Sequence, residues 1–312
     1  MRPRLSPSPP SSPGLAARAA RALLPVGLVV LLLPATAPAQ GPPAVVPVPK
    51  AVGEPWNDRA VRRALEAEGA RLLDAGRTGP SLADGLDRKG CALALPGPRQ
   101  GRRDLVSLLA EVERSVVVVG RFYRCSKCTN RHMGLASGFF VSDTGAMVTS
   151  RHVLTGDPTL GMVVMTRDGR VLPVREVLAA DEANDVVIAQ VEGATGVTPL
   201  PLQAAAPPGT GVIVMGHPDE DFYTVTTGIV SRYLVQPGRS RASFLAITAD
   251  FAKGSSGGPV FTLDGNVVGV VNSTRTLYAT QDGDAKADPQ TVVKQCTPAR
   301  ALLDLVRPPA GG

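Results

Sequence analysis

From Ser115 onward the chain is a succession of short β-rich runs, and this texture limits its fold more than any other feature. The runs begin at Ser115–Val119, Ser137–Val141 and Ala146–Thr149. They continue through Met162–Thr166, Val171–Val174, Val186–Val191 and Gly211–Met215 to Tyr223–Val235, Ser243–Thr248, Pro259–Thr262 and Asn266–Val271. Between them lie turn signals such as Asp143-Thr144-Gly145, Arg167-Asp168-Gly169 and Asp264-Gly265. Glycine tolerates the backbone angles that tight hairpin connections demand, so each is a natural chain reversal. Many short strands without intervening helical periods predict an all-β sandwich or a pair of barrels, not βαβ units. A short closing helix is expected from Pro298 to Val306.

The segment ahead of this region reads differently. Asn57 to Ala75 places Val61, Ala64, Leu65, Leu72 and Leu73 at roughly helical spacing, with Glu68 and Gly69 interrupting the apolar face. A second short helix is expected from Asp104 to Arg114, with Asp104 near its start. Residues 40–103 therefore form a partly helical N-terminal extension, read as a prop packed on the main domain at 104–308. Residues 1–39 combine four arginines, an apolar run from Ala22 to Leu33 and the small-residue site Ala37-Pro38-Ala39. That order is the pattern of a secretory signal, and the run is short of the ~20 residues that span a bilayer. An exported chain, periplasmic or secreted, is expected, with an uncleaved anchor as the alternative. The net charge of +6 falls to +2 once Arg2, Arg4, Arg18 and Arg21 are removed with this segment. No basic stretch interleaved with aromatics remains, so nucleic acid is not an expected partner.

Four cysteines, Cys91, Cys125, Cys128 and Cys296, suit an exported chain, and an even count in an oxidising compartment reads first as two disulfides. The alternative is a metal: Cys125 and Cys128 with His132 would supply three zinc ligands and Cys91 or Cys296 a fourth. The second ligand pair at standard spacing is missing, and the compartment favours disulfides.

Chemistry concentrates at Gly254-Ser255-Ser256-Gly257-Gly258-Pro259. Glycines flanking a serine let the backbone turn sharply and aim amides at a point beside the hydroxyl, which is what serine-dependent acyl transfer needs. Such a string is also an ordinary flexible loop, so the partners decide. The chain has three histidines. His132 adjoins the cysteines, His217 sits in a Gly-His-Pro turn, and His152 follows the strand ending near Ser150. Asp185 opens the apolar strand Val186–Val191 and is the candidate to orient His152, ahead of Asp181 and Asp157. No histidine follows Ser256, which excludes the Ser–acid–His order of α/β-hydrolases. The order His152, Asp185, Ser256 is that of chymotrypsin-like enzymes. This chemistry requires no cofactor and no metal.

Four segments in order now carry a resemblance. Ala136-Ser137-Gly138-Phe139-Phe140-Val141, Val148-Thr149-Ser150-Arg151-His152-Val153, Asn184-Asp185-Val186-Val187-Ile188-Ala189 and Gly254–Pro259 resemble trypsin-like serine peptidases of the HtrA/DegP group. The resemblance spans about residues 104–308. It implies two six-stranded antiparallel barrels with the site between them, His152, Asp185 and Ser256 as the catalytic triad, and an oxyanion hole made by the amides of Gly254 and Ser256. It implies a serine endopeptidase acting on exported polypeptides; a catalytically quiet binding or chaperone-like protein on the same scaffold is the alternative. Ser255 stands where the group commonly has Asn, the Cys125–His132 segment lies outside its usual pattern, and no room is left for a PDZ domain. Asp250, six residues before Ser256, has the spacing of the primary-pocket residue in trypsin-like enzymes. The competing expectation, and the preferred one, is that it satisfies local backbone amides.

Overall fold

The computed structural model describes residues 45–79, 82–236, 239–282 and 285–308. The expected signal or anchor at 1–39 lies outside them. Among the described residues, no helix is long and apolar enough to cross a membrane.

Twelve strands close into two antiparallel barrels. The first comprises β2 (Val116–Arg124), β3 (Arg131–Phe140), β4 (Ala146–Ser150), β5 (Thr159–Met165), β6 (Val171–Asp181) and β7 (Val186–Val191). Its order around the barrel is β2-β3-β4-β7-β6-β5. The second comprises β8 (Gly211–Gly216), β9 (Thr224–Gln236), β10 (Arg239–Ile247), β11 (Pro259–Thr262), β12 (Val267–Asp282) and β13 (Ala285–Pro298), in the order β10-β13-β12-β11-β8-β9. A two-stranded parallel pair, β1 (Cys91–Ala92) with β14 (Val306–Arg307), ties the extension to the chain's end.

The apolar run Val116-Val117-Val118-Val119 shows how packing generates this sequence. Alternate side chains on a strand point to opposite faces. Val117 and Val119 enter the first barrel's interior beside Phe140, Met147 and Val164. Val116 faces a core shared between the barrels with Val148, Ile188, Ile213, Met215 and Phe261. Val118 lies under the extension with Leu65 and Phe122. All four are fully buried, so each side chain gains about 1.5–3 kcal/mol from transfer out of water and no polar residue is tolerated in the alternation.

Helix α1 (Asp58–Asp74) supplies the covering layer at Val118. Its N-cap Asn57 accepts the Ala60 N–H, and Val61, Leu65 and Leu72 form its buried stripe. The two residues that break this stripe in the sequence both have structural causes. Gly69 lies against the Phe122 ring, where an added Cβ would come within 2.7 Å of a ring carbon. Glu68, buried, receives two hydrogen bonds from Arg71 at 2.6 and 2.9 Å. Helix α2 (Leu105–Val112), capped by Asp104, and helix α3 (Arg300–Leu305) place Leu108, Val112 and Leu302 in the shared core.

Candidate active site

His152 and Asp185 meet because of strand register. Strands β4 and β7 pair with Ser150 opposite Val186, so the residues just past these strand ends emerge side by side. Arg151–Leu154 forms a short 3-10 turn that turns His152 toward Asp185, and the Arg151 N–H donates to the Asp185 carbonyl at 3.1 Å. Asp185 itself adopts φ 57°, a left-handed conformation that Asp tolerates better than most residues. Its carboxylate accepts the His152 backbone N–H at Oδ1, 2.7 Å, and lies 2.6 Å from Nδ1 through Oδ2. Two-point attachment fixes the ring, gives Nδ1 the proton and leaves the Nε2 lone pair free to accept another.

The second barrel completes this arrangement. Asn272 on β12 donates to Asp185 Oδ2 and to Thr297 Oγ1, both at 3.1 Å, while Thr297 on β13 donates to the Asn184 carbonyl at 2.6 Å. The carboxylate is thereby held from both barrels, with 18% of its side chain exposed against 46% for His152.

Ser256 lies in the loop before β11, half-buried, and lines with His152 and Gly254 a cleft of about 610 Å³. Two glycines make the loop possible. Gly254 has φ 97° and a Cβ there would sit 2.3 Å from the His217 carbonyl oxygen; Gly257, φ 86°, would clash equally with Ser137 and Thr149. Ser137 pins the loop from the first barrel. Its N–H donates to the Ser256 carbonyl and its hydroxyl to the Gly254 carbonyl, each at 2.9 Å.

The amide between Lys253 and Gly254 is oriented by its other end. Asp219 N–H donates to the Lys253 carbonyl at 2.7 Å, and since C=O and N–H of a trans peptide point oppositely, the Gly254 N–H faces away from Asp219. Among the described residues the N–H groups of Gly254 and Ser256 donate to no acceptor, which leaves them for an oxyanion. The loop holding Asp219 is unusual: Asp219, Glu220 and Tyr223 all have positive φ, a conformation that persists only where surroundings impose it. Those surroundings include α1. Arg62 pairs with Glu220 and donates to the Met133 carbonyl at 3.2 Å, Asp58 accepts the Phe222 N–H, and Trp56, just ahead of the helix, stacks on Tyr223 at 5.3 Å.

The other expected positions separate cleanly. His217 is fully buried, and burial lowers its pKa to about 4; its Nδ1 accepts the Tyr223 N–H at 3.0 Å, so it stays neutral and has no role as the base. Asp250 is 81% exposed and its carboxylate pairs with Lys294 of β13 at 2.8 Å, in place of the local backbone amides expected. The four cysteines are free thiols, in contrast to the two expected disulfides. Cys296 is buried inside the second barrel and Cys91 packs against the shared core, whereas Cys125 and Cys128 gather with His132 at the β2–β3 turn. Asn272, Ser137, Asp219 and Arg62 enter the site without having been anticipated. Of these only Ser137 lies inside a segment that marked the resemblance.

Residues 136–270 match the family described as a trypsin-like peptidase domain. Over 136 residues the chain is 34% identical to the "Probable periplasmic serine endoprotease DegP-like" of Hahella chejuensis, covering 43% of this chain and 28% of the relative. It is 31% identical over 226 residues to the serine protease HTRA1 of Xenopus tropicalis, covering 62% of this chain and 48% of that protein. The chain thus spans less than half the length of these curated relatives. Among solved structures it is similar to the HtrA-type protease AlgW with a decapeptide, with a TM-score of 0.53 at 19% identity over 64% of this chain and 66% of that one. That likeness shows the fold.

Proposed function

We propose that this chain, which carries a trypsin-like peptidase domain similar to those of HtrA/DegP-type serine proteases, is a serine endopeptidase that cleaves exported polypeptides through an acyl-enzyme. The observation that carries the proposal is the two-point hold of Asp185 on His152, which presents a proton-accepting Nε2 to the cleft that Ser256 lines. His152 takes the Ser256 hydroxyl proton as Oγ attacks the scissile carbonyl, and Asp185 stabilises the imidazolium formed. The negative charge that develops on the carbonyl oxygen falls to the free amides of Gly254 and Ser256. The same imidazolium then protonates the leaving amine, and water repeats the sequence to release the acid.

Residues 104–308 constitute the peptidase domain in this reading and 40–103 its brace. The periplasmic designation of the Hahella relative and the signal-like residues 1–39 support an exported location. Asp250, already neutralised by Lys294, gives no ground for a preference for Lys or Arg before the scissile bond.

A fluorophosphonate probe tests the assignment. It is expected to label Ser256 alone, and Ser256→Ala is expected to lose about 10⁴-fold or more in kcat/KM on an unfolded protein while remaining folded. Cleavage by Ser256→Ala near the parent rate would refute it.

A further inference from the structure

The turn joining β2 to β3 and the first residues of β3 carry Cys125-Ser126-Lys127-Cys128-Thr129-Asn130-Arg131-His132, and the proposed hydrolysis at Ser256 uses none of these side chains. The ladder closes below it with Arg124 opposite Arg131 and Tyr123 opposite His132. This register brings the imidazole back beneath the two thiols. One ligand atom from each of Cys125, Cys128 and His132 lies within 4.8 Å of the others, and Cys128 Sγ is 3.1 Å from His132 Nε2. Zinc bonds of about 2.3 Å to sulfur and about 2.0–2.1 Å to nitrogen place tetrahedral S···N neighbours about 3.5 Å and S···S neighbours about 3.8 Å apart. The three groups therefore need only small adjustments to surround one ion.

We propose that Cys125, Cys128 and His132 form a binding site for a thiophilic divalent cation, Zn²⁺, at the rim of the cleft. Two thiols and an imidazole select this class of ion over Mg²⁺ or Ca²⁺, which require oxygen ligands. The Lys127 N–H donates to Cys125 Sγ at 3.4 Å, which fixes the position of that sulfur in the turn. On loading, both thiols give up their protons to solvent and two S–Zn bonds and one N–Zn bond form. The complex has no net charge, and water takes the fourth position. Cys128 is exposed and the other two ligands are half-buried, so an ion can enter and the fourth position stays open. Neither Cys91 nor Cys296 joins the cluster.

The site adjoins the proposed catalytic cleft through one residue. Tyr123 stacks on the His132 ring at 5.7 Å and lines the cleft with Arg121. A metal that fixes the imidazole also fixes the tyrosine beneath it. The binding itself does not depend on peptidase activity, and its test is read without substrate.

The full chain, reduced without oxygen and freed of metal, is titrated with Co²⁺ and then with Zn²⁺. One equivalent of Co²⁺ is expected to give a thiolate-to-cobalt charge-transfer band with the strong visible absorption of four-coordinate cobalt, and one equivalent of Zn²⁺ to bleach it. Cys128→Ser and His132→Ala are each expected to weaken binding by more than the roughly 10–100-fold that outer-sphere changes cost. Cys91→Ser is expected to leave it unchanged. The Cys125→Ser/Cys128→Ser double variant, checked for an unaltered unfolding temperature, should show no charge-transfer band. A reduced protein with no such band, or a band that survives the double substitution, overturns the site.

Discussion

At Asp185 two demands meet, and the residue satisfies both through its backbone. The carboxylate must reach a ring and a backbone amide at once, which the φ of 57° permits, and it must not rotate when the ring becomes charged. Asn272 supplies the second constraint by occupying the remaining side of Oδ2. A hydrogen bond to an ionised carboxylate contributes about 1.5–3 kcal/mol, so Asn272→Ala is expected to lower kcat by about 10–100-fold. KM for a peptide should change little, because Asn272 does not line the substrate cleft. Steady-state kinetics separate the two, and a loss confined to KM would show that Asn272 acts elsewhere. The pairing of His152 with Asp185 was legible in the sequence because the chain has three histidines and this one follows a strand end ahead of a candidate acid. Asn272 was not: it follows an apolar strand, and a lone Asn there has no pattern that distinguishes it from a turn residue. Its partnership with a residue 87 positions away exists only after both barrels close.

Among the elements, legibility followed burial. The spans Val186–Val191 and Pro259–Thr262 emerged with the expected bounds, since every residue of β11 is buried and β7 is nearly so. The strand β13 was missed altogether. Its outer half, facing the outer half of β12, is largely exposed, and without a core face there is no period-two alternation to read. Only its end, from Lys294 to Pro298, pairs into the barrel wall, and of the buried residues there Gln295 and Thr297 are polar. Helix α1 was foreseen as a helix and as a prop, but its reach into the site was not. Through Arg62 and Glu220 it braces the loop whose Asp219 N–H orients the amide next to Gly254. Arg62→Ala is expected to reduce kcat several-fold. Since Arg62 also lines the cleft, the charge-exchanged pair Arg62→Glu/Glu220→Arg distinguishes a brace from a substrate contact. Partial recovery of kcat in the double variant supports the brace, and two additive losses reject it.

At the scale of the whole molecule, the core shared between the barrels is apolar, and His217 is fully buried with its ring against Phe222 and Tyr223. An unfolded imidazole binds its proton near pH 6.5, the buried one only near about 4, so between those values the unfolded chain holds more protons. Stability is therefore full above about pH 7 and falls as the pH drops toward 4, by roughly 3 kcal/mol from this group. Urea unfolding at pH 7 and pH 5 measures the slope. His217→Gln should flatten it even while lowering the plateau, and an undiminished slope would assign the acid sensitivity to other groups.

The junction has a temporal consequence. In the proposed reaction the base and its carboxylate belong to the first barrel, whereas the nucleophile and the Asn272–Thr297 support belong to the second, whose closing strand is β13. The two barrels share a core, so the imidazole and the Ser256 hydroxyl face one another across the cleft only once both have closed. The full support of Asp185 is in place only once Thr297 has docked against Asn272 and the Asn184 carbonyl. On the proposed reading, a copy with only one barrel closed lacks the means to cut its neighbours.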